Sequence, residues 1–453
     1  MENTNFGQTK KDVSSKTSSK LRDMLRNIDF LNADAAKSRG ALSARSRISR
    51  LLDEGTFVEI GAYVKSRSDD AFSGIICGYG AVDGRLVFVF AQDFERSGGT
   101  ALDEFYTKKV LALYDMAIKN GAPVVGIFDS TPDSSAFFDV TSLAGFGKIL
   151  CAVNSASGVV PQIAVITGRC DESFCIMTSM FDFMINADAD NYLINKNAAI
   201  LCENEYVAVE RAAELIKRLP QNNADGTVYV QNNANINRLL DPSDLTDDYD
   251  VKTLIDKISD NNDFFEIFPD RSPEMVTGFI FIGGMSIGVC ANRHDIETGI
   301  ISAGGAEKAA AFIGFCDSFN IPLLTLVDSV GVEKSSEACT ALAALSFAYS
   351  SSTNSKVSVI IGNSQNLAFT LMGSKSLGTD IVYVVERAKI NSSQTDAEGN
   401  NILVSDAARL GETDDIIEFT ELRKKICAAF EMLGSKSTLP FSKKHTSYTL
   451  RAW

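Results

Sequence analysis

The sequence predicts an α/β protein of two tandem domains in which one unit is written twice. Three observations predict it: a helix-to-strand module that recurs at a constant offset, short continuous apolar runs of the parallel-strand kind, and a Pro, Asn and Gly rich break between the copies. Lys109 is followed 14 residues later by Pro123 and 6 later by Asp129-Ser130. Lys308, Pro322 and Asp328-Ser329 repeat those steps, each displaced by 199 residues.

The elements follow in order. Residues 1–40 form a lead-in, of which 1–20 are rich in Ser, Thr and Lys, lack the apolar core of a signal segment and read as frayed. LLDEGTFVEIG (51–61) is echoed by KISDNNDFFEIF (257–268), each a helix end leading into a short strand. GYGAVDGRLVFVFA (78–91) and TGFIFIGGMSIGVCA (277–291) read as hairpins turning at Asp83-Gly84 and Gly283-Gly284. The glycines of the first are a poor dinucleotide loop, because strand residues and no helix follow Gly84. KKVLALYDMAIKNG and EKAAAFIGFCDSFN are apolar at helical spacing and stop at Gly or Asn before Pro. PVVGIFDS and PLLTLVDS then read as strands buried on both faces. GVVPQIAVITG (158–168) and TNSKVSVIIG (353–362) are further strands ending in Gly, each followed by a loop and a helix-like run, SFCIMTSMFDFMIN or LAFTLMGSKSLG. The repeated order implies α/β domains with right-handed crossovers. The boundaries fall at 41–225 for the first domain and 226–453 for the second, with 221–250 read as a linker or poorly packed connection. Residues 391–405 read as a surface loop, and the basic tail 434–453 carries Trp453, which could dock on a neighbour.

Composition narrows the chemistry. The 453 residues are 45% hydrophobic and 22% charged, as in an ordinary soluble protein with substantial cores. A net charge of −15 argues against bulk neutralisation of nucleic-acid phosphates. No run approaches the ~20 apolar residues of a membrane span. The nine cysteines form no Cys-x-x-Cys pair and no Cys/His cluster, so no metal site is expected and a reducing cytoplasm is. The two histidines, His294 and His445, lie in polar stretches with no nucleophile arranged around them. They read as surface or loop residues, and the chemistry is expected to run without the usual side-chain general base.

At 307–331, and most specifically in FCDSFNIPLLT, the chain resembles the carboxyltransferase subunits of biotin-dependent acyl-CoA carboxylases and the related decarboxylase and transcarboxylase subunits. NGAPVVGIFDS (120–130), TSLAGFG (141–147), SGVVPQIAVITG (157–168), SKSLGTD (374–380) and residues 409–433 extend the resemblance from about residue 40 to the C-terminus. It implies two crotonase-like (ClpP/crotonase-type) domains, the first on the acyl-CoA side and the second on the biotin side. It implies transfer of a carboxyl group between biotin on a separate carrier protein and an acyl-CoA, through an enolate. Main-chain N–H donors of glycine-rich loops hold that enolate oxygen and the biotin ureido oxygen. The implied partners are a biotin carboxyl carrier protein, a biotin carboxylase or membrane decarboxylase subunits, and a second copy in a homodimer or larger ring.

Family members carry a Gly-Gly pair four and five residues after the strand-ending glycine of each domain. Here Glu172 and Ser173 stand after Gly168, and Asn366 and Leu367 after Gly362. These four are the catalytic positions that the resemblance implies, with the family glycines replaced. Gly98, Gly99, Lys108, Lys109 and Gly168 are the implied CoA-binding residues, and Val330, Gly331, Ser364, Gln365 and Ala368 the biotin-binding ones. The loop after Asp129 lacks the family's Arg-x-Gln-Glu run, and its Trp-Pro strand is replaced by VYVVERAKI. Two functions therefore compete: an active carboxyltransferase with unusual loops, and a catalytically impaired paralogue serving as scaffold or regulatory partner. A hydratase or isomerase ranks below both, because Glu172 alone is a poor acid/base pair for a thioester.

Overall fold

The structure, a computed structural model, describes residues 5–64, 72–97, 102, 104–130, 140–187, 195, 197–231, 234–246, 249–391 and 404–436. The chain divides into two compact units, Met1–Lys217 and Arg218–Trp453.

The first unit is a sheet whose spatial order equals its chain order: β1 (Val58–Ile60), β2 (Ile75–Val82), β3 (Arg85–Gln92), β4 (Val124–Phe128), β5 (Gln162–Ile166), β6 (Phe183–Asn186) and β7 (Ile200–Leu201). β1, β2 and β3 are antiparallel, and β3 through β7 are parallel. Its helices are α1 (Asn5–Ser38), α2 (Ala44–Leu51), α3 (Phe94–Ser97), α4 (Glu104–Asn120), α5 (Val140–Ala156), α6 (Glu172–Thr178) and α7 (Glu205–Arg218). The expected hairpin turns with both Asp83 and Gly84 at positive φ, as a two-residue turn between twisted strands requires. Every residue of β4 and β5 is buried, because α4 and α5 connect strands of one sheet and cover it. Phe88, Phe90, Leu113, Phe128, Ile166 and Phe174 are among the core.

The second unit repeats this plan with β8 (Phe264–Ile267), β9 (Met275–Ile282), β10 (Met285–Asn292), β11 (Leu323–Ser329), β12 (Lys356–Gln365), β13 (Ile381–Val385), β14 (Lys389–Asn391) and β15 (Asp415–Ile417). The order is β8-β9-β10-β11-β12-β13-β15, with β14 alongside β12. β8 to β10 are antiparallel and the rest parallel, as in the first copy. α8 (Val251–Ile258), α9 (Ala303–Ser318), α10 (Ser336–Ser351), α11 (Leu367–Leu371), α12 (Val404–Arg409) and α13 (Leu422–Leu433) accompany the sheet.

Three sequence expectations are corrected. The segment 1–20, read as frayed, is helical from Asn5, in a helix that runs to Ser38 and buries Leu25 and Ala36. The supposed linker 221–250 packs in its described part: Leu240, Leu245 and Tyr249 enter the second core, and Tyr229 bridges to Met285. SFCIMTSMFDFMIN is two elements, since α6 stops at Thr178 and Phe183–Asn186 is strand β6. An apolar run does not by itself say where a helix gives way to a strand. Residues 131–139, His445 and Trp453 lie outside the described residues.

The duplication extends to buried charge. Asp129 follows β4 and Asp328 lies in β11, and both carboxylates are buried. Each lies over the glycine of the neighbouring strand, so a Cβ on Gly168 would strike the Asp129 carboxylate and one on Gly362 that of Asp328. Gly168→Ala and Gly362→Ala are each expected to destabilise by about 1–3 kcal/mol through overpacking, read from urea unfolding midpoints.

A second device is repeated with a difference. Asp182 Oδ2 accepts the Gln162 main-chain N–H at 2.8 Å, and Asp380 Oδ2 accepts that of Lys356 at 2.8 Å. Asp380 also pairs with Lys436 Nζ at 2.8 Å, whereas no cation among the described residues pairs with Asp182. Burial pushes the Asp182 carboxyl up to about 7, and the Gln162 amide opposes that rise. The folded state therefore holds a proton that the unfolded chain releases near 3.8. This contribution is fully present below that value and is lost as pH rises through about 7. Thermal melts should show stability falling across that window, and Asp182→Asn should flatten the fall.

Candidate active site

In an open α/β sheet the chemistry gathers where the parallel strands end at their carboxyl side. Both copies place a strand-to-helix turn there. In the first, β5 leads through Gly168, Arg169, Cys170 and Asp171 into α6, so Glu172 and Ser173 are the first two helical residues. In the second, β12 runs on to Gln365, and Asn366 opens α11 with Leu367 as its first residue. The four expected catalytic positions thus sit at two helix starts, where main-chain N–H groups lack helical partners.

The two starts differ in what faces those amides. Asp171 caps α6: its Oδ1 accepts the Phe174 N–H at 2.9 Å, and the carboxylate also faces the Ser173 N–H. Asp171 is buried. Burial pushes its carboxyl up, and the amides of Phe174 and Ser173 pull the other way. The Asp171 carboxyl group thus already takes main-chain N–H donors at this helix start. Glu172 is exposed, so the anion at this turn is its neighbour.

α11 has no such cap. Asn366 makes no side-chain bond to the helix start, and nothing among the described residues accepts from the N–H of Leu367 or Ala368. Asn366 holds φ 52° and ψ −132°. That lies outside the left-handed helical well that Asn tolerates and within territory normally reserved for glycine. Asn366 thus holds a backbone conformation that glycine ordinarily takes.

The other expected residues divide. Gly168 lies at the first turn under Asp129. Lys108 is exposed on α4, but Lys109 is a correction: it is 5% exposed and donates from Nζ to the Ile75 carbonyl at 2.6 Å. Burial lowers its pKa. A cation tied to a carbonyl inside the unit cannot meet CoA phosphates. Lys308, its repeat partner, is likewise buried on the carbonyls of Phe268 (2.7 Å) and Arg271 (2.8 Å), and burial lowers it to about 8. Gly98 and Gly99 lie outside the described residues.

The second-domain set is brought together. Asn366 Nδ2 donates to the Val330 carbonyl at 3.4 Å, Ser329 pairs with Ser364 across β11 and β12, and Gly331 donates to Ser329 Oγ at 3.2 Å. Gln365 Nε2 reaches Asn363 at 3.3 Å, Ala368 is buried, and the Ser364 hydroxyl is buried without a partner among the described residues.

Sequence reasoning missed His294 and Tyr249. His294 Nδ1 lies 3.2 Å from Asp328 Oδ1, and the Tyr249 hydroxyl donates to Asp328 Oδ2 at 2.8 Å. The histidine is therefore not an isolated loop residue. The available signal was its place two residues beyond β10, at the carboxyl end of the sheet.

The carboxyl transferase domain family matches residues 35–194 and 189–394, most of the chain and once per copy. The chain belongs to this carboxyltransferase family. It is 32% identical to the propionyl-CoA carboxylase beta chain of Roseobacter denitrificans, covering 92% of this chain and 95% of that one. It is 31% identical to methylmalonyl-CoA decarboxylase subunit alpha of Propionigenium modestum, covering 91% and 94%. A crystal structure of transcarboxylase 12S, a hexameric assembly with hydrolysed methylmalonyl-coenzyme A bound, superposes with a TM-score of 0.87 at 27% identity, covering 95% of this chain and 98% of that one.

Relief of the Asn366 backbone supplies a direct test of the strain at this turn. Asn366→Gly should stabilise the chain by about 1 kcal/mol, seen as a higher unfolding midpoint.

Proposed function

We propose that the chain is a carboxyltransferase-type subunit that keeps the biotin-side turn and has closed its acyl-CoA-side oxyanion hole, so that it serves as a catalytically impaired partner in a biotin-dependent acyl-CoA carboxylase or decarboxylase assembly. One observation carries this reading: the buried Asp171 carboxylate on the amides at the start of α6. An enolate oxygen needs those donors free and pre-aimed. Displacing Asp171 would leave a buried carboxylate unserved next to a second developing negative charge, which opposes the step twice.

The duplicated sheets are taken as crotonase-like domains, with acyl-CoA at the first and biotin at the second. Biotin on its carrier supplies the carboxyl group when it is bound. In the second domain, the free N–H groups of Leu367 and Ala368 offer donors for a ureido oxygen, and the Asn366 backbone aims them. Val330 and Gly331 lie beside that turn. Assembly into at least a homodimer fits the hexameric relative.

A second reading, a fully active carboxyltransferase, has one observation in its favour. The strained main chain at Asn366 has been kept, and strain of this kind persists where surrounding structure and function hold it.

Calorimetric titration with propionyl-CoA and methylmalonyl-CoA, followed by a decarboxylation assay with free biotin, separates the two. The closed-hole reading expects little turnover by the natural chain. It also expects a gain of about 100-fold or more when Asp171→Ala is combined with Glu172→Gly and Ser173→Gly. Turnover by the natural chain that the triple variant fails to raise would discard the closed hole and leave the active reading standing.

A further inference from the structure

A cavity of about 360 Å³ opens in the second unit, lined by Tyr249, His294, Asp328, Gly362, Asn363, Arg387 and Lys389. It lies at the carboxyl ends of β10, β11, β12 and β13, with Lys389 on β14 in register with Asn363. We infer that this cavity is a binding site for a small oxyanion, a carboxylate or phosphate group, held by His294, Arg387 and Lys389.

The charge arrangement carries the inference. Asp328 forms the floor, and both of its oxygens are already engaged. Oδ2 accepts from Tyr249, while Oδ1 accepts the Asn363 N–H at 2.7 Å and its side-chain amide at 3.1 Å, with His294 Nδ1 at 3.2 Å. The floor carboxylate therefore does not need Arg387 or Lys389. Arg387 is anchored by donating to the carbonyls of Leu245 and Thr246, which fixes its guanidinium at the cavity. Lys389 Nζ meets no acceptor among the described residues. His294 Nδ1 lies 3.2 Å from Asp328 Oδ1 yet is buried without a hydrogen-bond partner among the described residues, so the ring brings an unsatisfied nitrogen to the cavity.

The first copy shows what this corner looks like when its cations are spent inward. There Asp129 takes Arg47 at 2.7 Å and Arg39 at 2.8 Å, and its N–H is received by Gln92 at 3.0 Å. In the second copy Tyr249 and Asn363 do that work, and Lys389 stands at the cavity without being drawn onto the aspartate. Asn292, at the end of β10 as Gln92 is at the end of β3, is buried with neither side-chain atom paired among the described residues. This arrangement recognises negative charge in a cleft, within a chain whose net charge is −15. It does not rest on the reading of the α6 turn.

The test titrates the full chain with inorganic phosphate, malonate and bicarbonate at constant ionic strength, by calorimetry and by thermal unfolding. At least one of them should bind with a Kd on the order of 1 mM and raise the unfolding midpoint. Preference for phosphate assigns a phosphoryl ligand, and preference for malonate or bicarbonate assigns a carboxylate. Lys389→Glu, at an exposed position, should weaken binding by about tenfold while leaving the anion-free midpoint unchanged. His294→Gln should also weaken it. Absence of binding by all three anions, or unaltered affinity in Lys389→Glu, overturns the site.

Discussion

The structure turns on a buried aspartate laid over a glycine at the end of the central strand of each unit. An unpaired carboxylate cannot be left in such a place, so each copy must converge donors on it. In the first copy Arg47 also holds Glu205 at 2.7 Å, which ties α2, α7 and the end of β4 into one network. In the second copy the Asn363 main chain donates to Asp328, which ties β12 to β11 directly. The carboxylate thereby fixes the strand from which the turn leaves, and the turn carries whatever chemistry the copy has. The glycine beneath is required by the close approach, not by a special φ.

Because this anchor is solved differently in the two copies, the copies are free to differ in function while sharing one topology. Two arginines and a glutamate close the corner of the first unit, and its helix start is closed again by Asp171. Neutral donors, Tyr249 and Asn363, serve the second, leaving both an open helix start and a cavity edged with basic residues. Loss of a glycine is not by itself loss of a hole. At Asn366 the main chain stays where a glycine would put it. At Glu172 and Ser173 the group that meets the amides is the residue before them, Asp171, whose short carboxylate side chain suits an N-cap.

Much of the fold was legible in the sequence, because it is written in periodicity and repetition. The constant offset that pairs Lys109 with Lys308 marks a true structural equivalence, and both hairpins and the buried strands fall where the apolar runs place them. The same offset carried a warning about Lys109. Tyr106, Thr107, Val110, Leu113, Tyr114 and Ala117 form the buried stripe of α4, and Lys109 falls within it, one position from the exposed Lys108. The site was less legible because it depends on which donor meets which acceptor. Neither the Asp171 cap nor the approach of His294 and Tyr249 to Asp328 follows from spacing, since Tyr249 and Asp328 are 79 residues apart and meet only once the sheet is built.

The contrast between the two helix starts is also what separates the proposed impaired subunit from an active one. The side chains at the two helix starts, Glu172 and Leu367, are both exposed. What decides competence is whether the amide is free and aimed. A capping carboxylate removes that freedom even with ideal helix geometry, because it is the same kind of partner as the oxyanion it excludes. A strained turn with no cap preserves it even with bulky neighbours. On the proposed reading, the acid that caps α6 is also the group that opposes chemistry there, and stability and catalysis are set against each other at one residue, Asp171.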